Sequence, residues 1–284
     1  MGEKPARASE YESEQLQFVR ATCLYVATKL GDLMDDLVVV GGLVPSLIVD
    51  QESHSEDAEM HVGTMDLDIG LTLALLEEGR YRTLTERLRS AGFAMDTNDD
   101  GNATRQRWKI ASPRTVAVDF LIQPSLAGDK GGALRNIEPD FAAIIAPGLA
   151  LAFRDRERVT IDGRTLFGEK ASRELWVCGA GAYVVLKALA FDSRGENKDA
   201  YDLYYVIRNY GAGAGDVVER LRPLLDDAET QKALGILRRD FIDPESIGPS
   251  RVAFFLAGGR DDAVQADVVG FVAQVLDGCS KAGA

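Results

Sequence analysis

Apolar residues recur at three- and four-residue steps through residues 11 to 31, at Leu16, Val19, Cys23, Val26, Ala27 and Leu30, and the run closes on Gly31. That spacing predicts an amphipathic helix with a glycine end. Leu37-Val38-Val39-Val40 predicts a short buried strand stopped by Gly41-Gly42, and Leu43 to Val49 reads as helical with Pro45 in its first turn. From Thr64 to Leu71 polar and apolar residues alternate, which places Thr64, Asp66 and Asp68 on one face of a second strand. Residues 74 to 91 predict another amphipathic helix ending at Gly92, and Asp99-Asp100-Gly101-Asn102 a turn. Arg105 to Ala111 and Thr115 to Ile122, separated by Ser112-Pro113-Arg114, predict a hairpin with Asp119 inside its second strand.

The texture changes near residue 136. After IEPDFAAIIAPG and a hairpin expected at Asp162-Gly163, helical periodicity covers 179 to 192, 197 to 210, 215 to 227 and 263 to 279. The expected class is α/β (α+β), with a mixed sheet and flanking helices over 1–135 and a mainly helical domain over 136–284.

Composition narrows the function. With 284 residues, 46% hydrophobic and 27% charged, the chain can bury a sizeable core. Its 32 basic and 45 acidic residues leave a net charge of -13, which argues against a surface built to coat polyanions. Three scattered cysteines and two histidines supply neither a disulfide framework nor zinc-ligand spacing. No apolar run is long enough for a membrane span, and the N-terminal MGEKPARASEYESEQ has no apolar signal core, so a cytoplasmic protein without a membrane partner is expected. Asp50, Glu52, Glu56, Asp57 and Glu59 predict a solvated acidic loop, with His54 and His61 as solvated neighbours. Trp108 and Trp176 read as core or strand-face residues.

Candidate chemistry centres on Asp66, Asp68 and Asp119. Two carboxylates at i and i+2 of one strand, joined by a third from an adjacent strand, form an oxygen-rich set suited to Mg2+ or Mn2+. A solvated strand face would explain Asp-x-Asp in so acidic a chain, but Asp119 sits within Val116-Ala117-Val118-Asp119-Phe120-Leu121-Ile122, where a carboxylate needs a cation or a donor. Gly41 and Gly42, between a strand and a helix, let backbone amides approach a phosphate, although a plain turn uses the same residues.

Gly41-Gly42, Thr64-x-Asp66-x-Asp68 and a strand aspartate together resemble the catalytic core of the DNA polymerase beta-like nucleotidyltransferase superfamily. Leu186-Lys187-Ala188-Leu189-Ala190, Arg194 and Asn197-Lys198-Asp199-Ala200-Tyr201-Asp202-Leu203-Tyr204 resemble the lysine motif and the Lys-Asp-x-x-Asp-Leu motif of the AbiEii/AbiGii toxin family. The resemblance spans residues 38 to about 210. It departs from the pattern in the long gap between Gly42 and Asp66, and the last 70 residues carry no recognised motif.

What the resemblance implies is a nucleotidyltransferase-fold enzyme that moves NMP from an NTP to an acceptor hydroxyl. Asp66, Asp68 and Asp119 would hold the metal, and Asp119 would take the acceptor proton. Gly41, Gly42, Thr64, Lys187 and Arg194 would meet the nucleotide phosphates, with Asp202 orienting Lys187 or touching the nucleotide and Asp199 among the nucleotide-binding residues. The competing readings are a surface pair for Lys187 and Arg194, a helix-dipole role for Asp199 and an i,i+4 ion pair for Lys198 and Asp202. The implied acceptor is RNA, tRNA in particular, and the implied role a toxin with a cognate antitoxin. Arg105, Arg107, Lys109, Arg114, Lys130 and Arg135 give residues 101 to 135 a local positive excess in keeping with RNA. The acidic 50 to 59 segment suits instead a cationic small acceptor of aminoglycoside type. A catalytically silent binding module is the rival outside enzymology.

Overall fold

A computed structural model of the chain describes residues 5–50, 60–72, 80–98, 101–110, 112 and 114–282. It divides into two compact units, one built mainly from Ser13–Val44 and Gly63–Cys178, the other from Lys4–Glu12, Pro45–Val62 and Gly179–Ala284. The acidic residues Glu52, Glu56, Asp57 and Glu59, together with His54, the Asp99-Asp100 pair and the start of the 74 to 91 helix, lie outside the described residues.

The first unit is a mixed nine-stranded sheet. Its strands are β1 (Leu37–Val40), β2 (Asp66–Leu71), β3 (Phe93–Thr97), β4 (Ala103–Ile110), β5 (Ala117–Ile122), β6 (Leu134–Glu138), β7 (Phe141–Ile145), β8 (Arg156–Arg164) and β9 (Lys170–Cys178). Along the main path the order is β3-β4-β5-β2-β1-β9-β8, and β7 pairs with both β5 and β6. β1 runs antiparallel to β2 and parallel to β9, while β2 and β5 are parallel. All four β1 residues are buried, as their unbroken apolar run requires of a central strand covered on both faces. Helices α1 (Ser13–Leu30), α3 (Arg80–Ser90) and α4 (Leu149–Arg154) accompany the sheet, and α2 (Pro45–Ile48) opens the second unit's share of the N-terminal half.

Alternation along the strands separates core from chemistry. Leu67, Val118 and Trp108 lie side by side across β2, β5 and β4, and all three are fully buried. Phe120 and Tyr81 close around Phe141 at ring-centroid distances of 5.2 and 5.8 Å, joining α3 to that apolar face. Asp66, Asp68, Asp119 and Arg107 occupy the intervening positions and therefore share the opposite face.

The second unit is helical. It contains α5 (Ala180–Arg194), α6 (Asn197–Asn209), α7 (Ala214–Leu221), α8 (Ala228–Asp240), α9 (Ile247–Ala257) and α10 (Asp262–Ala282). α5 ends at Gly195 in the left-handed conformation, φ 65°, and α6 begins two residues later, so the two helices fold back on each other. No helix among the described residues is long and apolar enough to cross a membrane.

The structure differs from the sequence expectation at several elements. β2 starts at Asp66, so Thr64 stands in the approach to the strand. Asp162 and Gly163 pair with Ser172 and Ala171 inside the β8–β9 ribbon, which turns instead through residues 165–169. Strands β6 to β9 follow residue 134, so the helical part begins at Ala180, and α8 and α9 have no counterpart in the periodicity reading.

Candidate active site

Three strands set the first cluster in register. Asp68 on β2 is opposite Asp119 on β5, and Asp119 is opposite Arg107 on β4. The Arg107 guanidinium forks onto Asp119: Nε donates to Oδ1 at 2.7 Å and Nη2 to Oδ2. The same Nη2 lies 3.8 Å from Asp66 Oδ2, so one cation spans two of the three carboxylates. Asp119, with Asp66 and Asp68 beside it, holds Arg107 firmly protonated, above its ordinary range. Thr64 Oγ1 is 3.2 Å from Asp66 Oδ1 and can donate to it, fixing that carboxylate from the strand approach.

Asp68 fills the space beside Gly41. A methyl group placed on Gly41 would come within 1.9 Å of Asp68 Oδ2, and Gly41 also has φ +70° at the head of a short turn over Gly41–Leu43. Both demands select glycine. Gly41→Ala should lower stability by about 2–4 kcal/mol, combining left-handed strain with overpacking, and thermal unfolding will measure it. Gly42, the second residue of this turn, is buried.

The donor set suits a divalent cation. Carboxylate oxygens from two adjacent strands, backed by an apolar core, form a place that already attracts positive charge, since a guanidinium occupies it. As they stand, no three His, Cys, Asp or Glu side chains among the described residues close around one point. Arg107 takes both oxygens of Asp119.

The second unit holds the other candidate residues. Lys187 Nζ lies 3.0 Å from Asp199 Oδ1 and 2.7 Å from Asp202 Oδ2. Arg194 Nε and Nη2 fork onto Asp199 at 2.6 and 2.8 Å, and Lys198 Nζ reaches Asp202 Oδ1 at 2.6 Å. The expected i,i+4 pair is present, Asp199 lies in the first turn of α6 as the helix-dipole reading has it, and Arg194 is half exposed, but Lys187 is no surface residue. Asp202 and Asp199 are 0% and 1% exposed and Lys187 is buried, because the α5–α6 turnback presses the two faces together. Burial alone would neutralise these groups, yet Lys187 with Lys198 and Arg194 holds Asp199 below and Asp202 well below the usual carboxylate range. Lys187 is held protonated in return.

His61 joins this network and corrects its expected place in a solvated loop. Its ring is buried, stacks on Tyr201 at 5.5 Å, meets Tyr205 edge-on at 4.9 Å and has Nε2 2.8 Å from Asp202 Oδ1. An ionised Asp202 can only accept, so Nε2 carries the hydrogen. Burial pushes the His61 pKa down to about 4, since Lys187 and Lys198 already balance Asp202. The unfolded chain binds this proton from its ordinary value of 6.5 and the folded chain only near 4, so stability falls as pH drops through that window, by up to about 3 kcal/mol. Asp199 and Asp202, with depressed folded values, surrender their contribution only below about pH 4. Denaturant titrations from pH 7 to 4 should therefore show a decline that His61→Gln flattens.

No protein-family model matches the chain, and no curated protein matches it. Asp66, Asp68, Asp119, Thr64, Gly41 and Gly42 belong to the first unit, and Lys187, Arg194, Asp199 and Asp202 to the second. The residues added by the fold are Arg107, as the partner of Asp119 and Asp66, and His61, as a donor to Asp202.

Proposed function

We propose that the chain is a metal-dependent nucleotidyltransferase that transfers NMP from an NTP to an acceptor hydroxyl and releases pyrophosphate. The observation that supports this most is the carboxylate row on β2 and β5, with Asp68 packed directly on the Gly41 turn. Asp66 and Asp68 would hold Mg2+ or Mn2+, with Asp119 completing the set. The bound cation would bring phosphate and acceptor oxygens together and balance their charge. Thr64 steadies the Asp66 carboxylate, and Asp119 would take the acceptor proton. Backbone amides at Gly41 and Gly42 would face phosphate. The cluster around Lys187 commits its three cations to Asp199 and Asp202, and its contribution is to hold α5, α6 and the His61 segment in one arrangement.

The acceptor we propose is RNA, tRNA in particular, with the protein acting in the cytoplasm as a toxin restrained by an antitoxin. This rests on the sequence resemblance and on the basic residues near the site. Four of those six are committed to ion pairs, Arg107 with Asp119, Lys109 with Asp96, Arg114 with Glu14 and Arg135 with Asp129, which reduces their pull on a polyanion.

The test is to incubate the purified protein and Mg2+ with each NTP labelled on its α-phosphate, together with bulk tRNA or an aminoglycoside panel. Label in tRNA is the expected result. Label in the drug panel alone would move the acceptor to a small molecule, and label nowhere would leave a binding module.

A further inference from the structure

The proposed chemistry gives Arg107 no part, although its side chain engages two of the three carboxylates. Its fork takes both oxygens of Asp119, its Nη2 also faces Asp66, and its side chain is only 16% exposed. A divalent cation held by the carboxylates of this face would need oxygens that the guanidinium now uses. That cation and Arg107 cannot share the spot: their charges repel, and the Asp119 oxygens are taken.

We propose that Arg107 is an exchangeable internal counter-ion, which holds Asp119 and Asp66 in place when no divalent cation is bound and gives them up when one binds. The inference rests on the metal-dependent reading above. Once displaced, the guanidinium keeps its charge and its planar fork, and the group it is suited to meet is a phosphate oxygen of the nucleotide or of the acceptor chain. Arg107 is thus a positioning residue that couples divalent loading to phosphate capture. A permanent strut between β4 and β5 would use the same contacts but would not yield to a cation.

The two are separated by Mn2+ binding to the full chain, followed by the electron paramagnetic resonance of free Mn2+ without nucleotide, for the parent, Arg107→Gln and Arg107→Lys. Arg107→Gln should bind Mn2+ about tenfold or more tightly than the parent, because a repelling charge has gone and Asp119 is released. Arg107→Lys should fall between, since an ammonium keeps the charge but not the fork. A second measurement needs no folded variant: in the parent, the Arg107 Nε–H held by Asp119 should lose its protection from solvent exchange as Mg2+ is added. Equal or weaker Mn2+ binding by Arg107→Gln, or a parent Nε–H that stays protected while Mg2+ binds, makes Arg107 a strut and overturns the proposal while leaving the metal site standing. Absence of Mn2+ binding in all three proteins overturns the metal reading and this inference with it.

Discussion

Asp202→Asn should lower the unfolding free energy by about 3–5 kcal/mol, the largest stability loss expected from a single isosteric change in this chain. The substitution keeps the shape and removes one charge. Lys187 and Lys198, at 2.7 and 2.6 Å from the carboxylate, then share a buried site in which Asp199 is the one carboxylate left to them among the described residues, and His61 keeps just an amide oxygen. For a chain of this size, the loss corresponds to a fall in thermal midpoint of roughly 6–20 °C. Adding Lys187→Met should recover part of it, because the second change removes the stranded ammonium and leaves an apolar chain of similar reach. A double-mutant cycle measured by denaturant unfolding should give a coupling of about 1–3 kcal/mol. Additive losses would mean that Lys187 and Asp202 do not depend on each other, whatever their distance.

Much of this arrangement is legible in the sequence, and the limit is set by which interactions are local. β1, β2 and β5 announce themselves through apolar runs and alternation, and the alternation alone puts Asp66 and Asp68 on one face. Arg107 is within reach too. Arg107 and Asp119 stand equally far from Pro113, so a hairpin folded about that residue puts them opposite each other, as the β4–β5 register does. The α8 start also leaves a local mark, Asp227, whose side chain accepts from the Glu229 amide at 2.9 Å, but α9 opens on Ile247-Gly248-Pro249, residues that read as a loop. His61 leaves no mark at all. Its segment carries the polar texture of a loop, and its burial comes from Tyr201, Tyr205 and Asp202, some 140 residues away along the chain. The Lys187 pairing shows the same thing in reverse: a motif recognisable by its residue types gives no sign that its charges pair with one another in a buried cluster.

Asp66→Asn should abolish transfer, reducing kcat/KM by about 10³-fold or more, while the thermal midpoint stays within a few degrees of the parent. The asymmetry follows from what Asp66 touches. Its contact with Arg107 is long, 3.8 Å against the fork on Asp119, so that ion pair is the weaker of the two, and Thr64 can keep a hydrogen bond to the amide oxygen that the substitution leaves in place of the carboxylate. A divalent cation leans on the Asp66 charge, because a neutral amide is a poorer ligand than a carboxylate and the loss is felt where charge builds up on the phosphate, at several kcal/mol or about three decades of rate. The same variant should lose Mn2+ binding measured without nucleotide, which ties the lost rate to the ion rather than to misfolding. Asp119→Asn makes the contrast: it removes the group that Arg107 forks onto, so it should lose stability as well as activity. Near-parental transfer by Asp66→Asn at parental stability would take the metal away from β2 and, with it, the nucleotidyltransferase reading of this face.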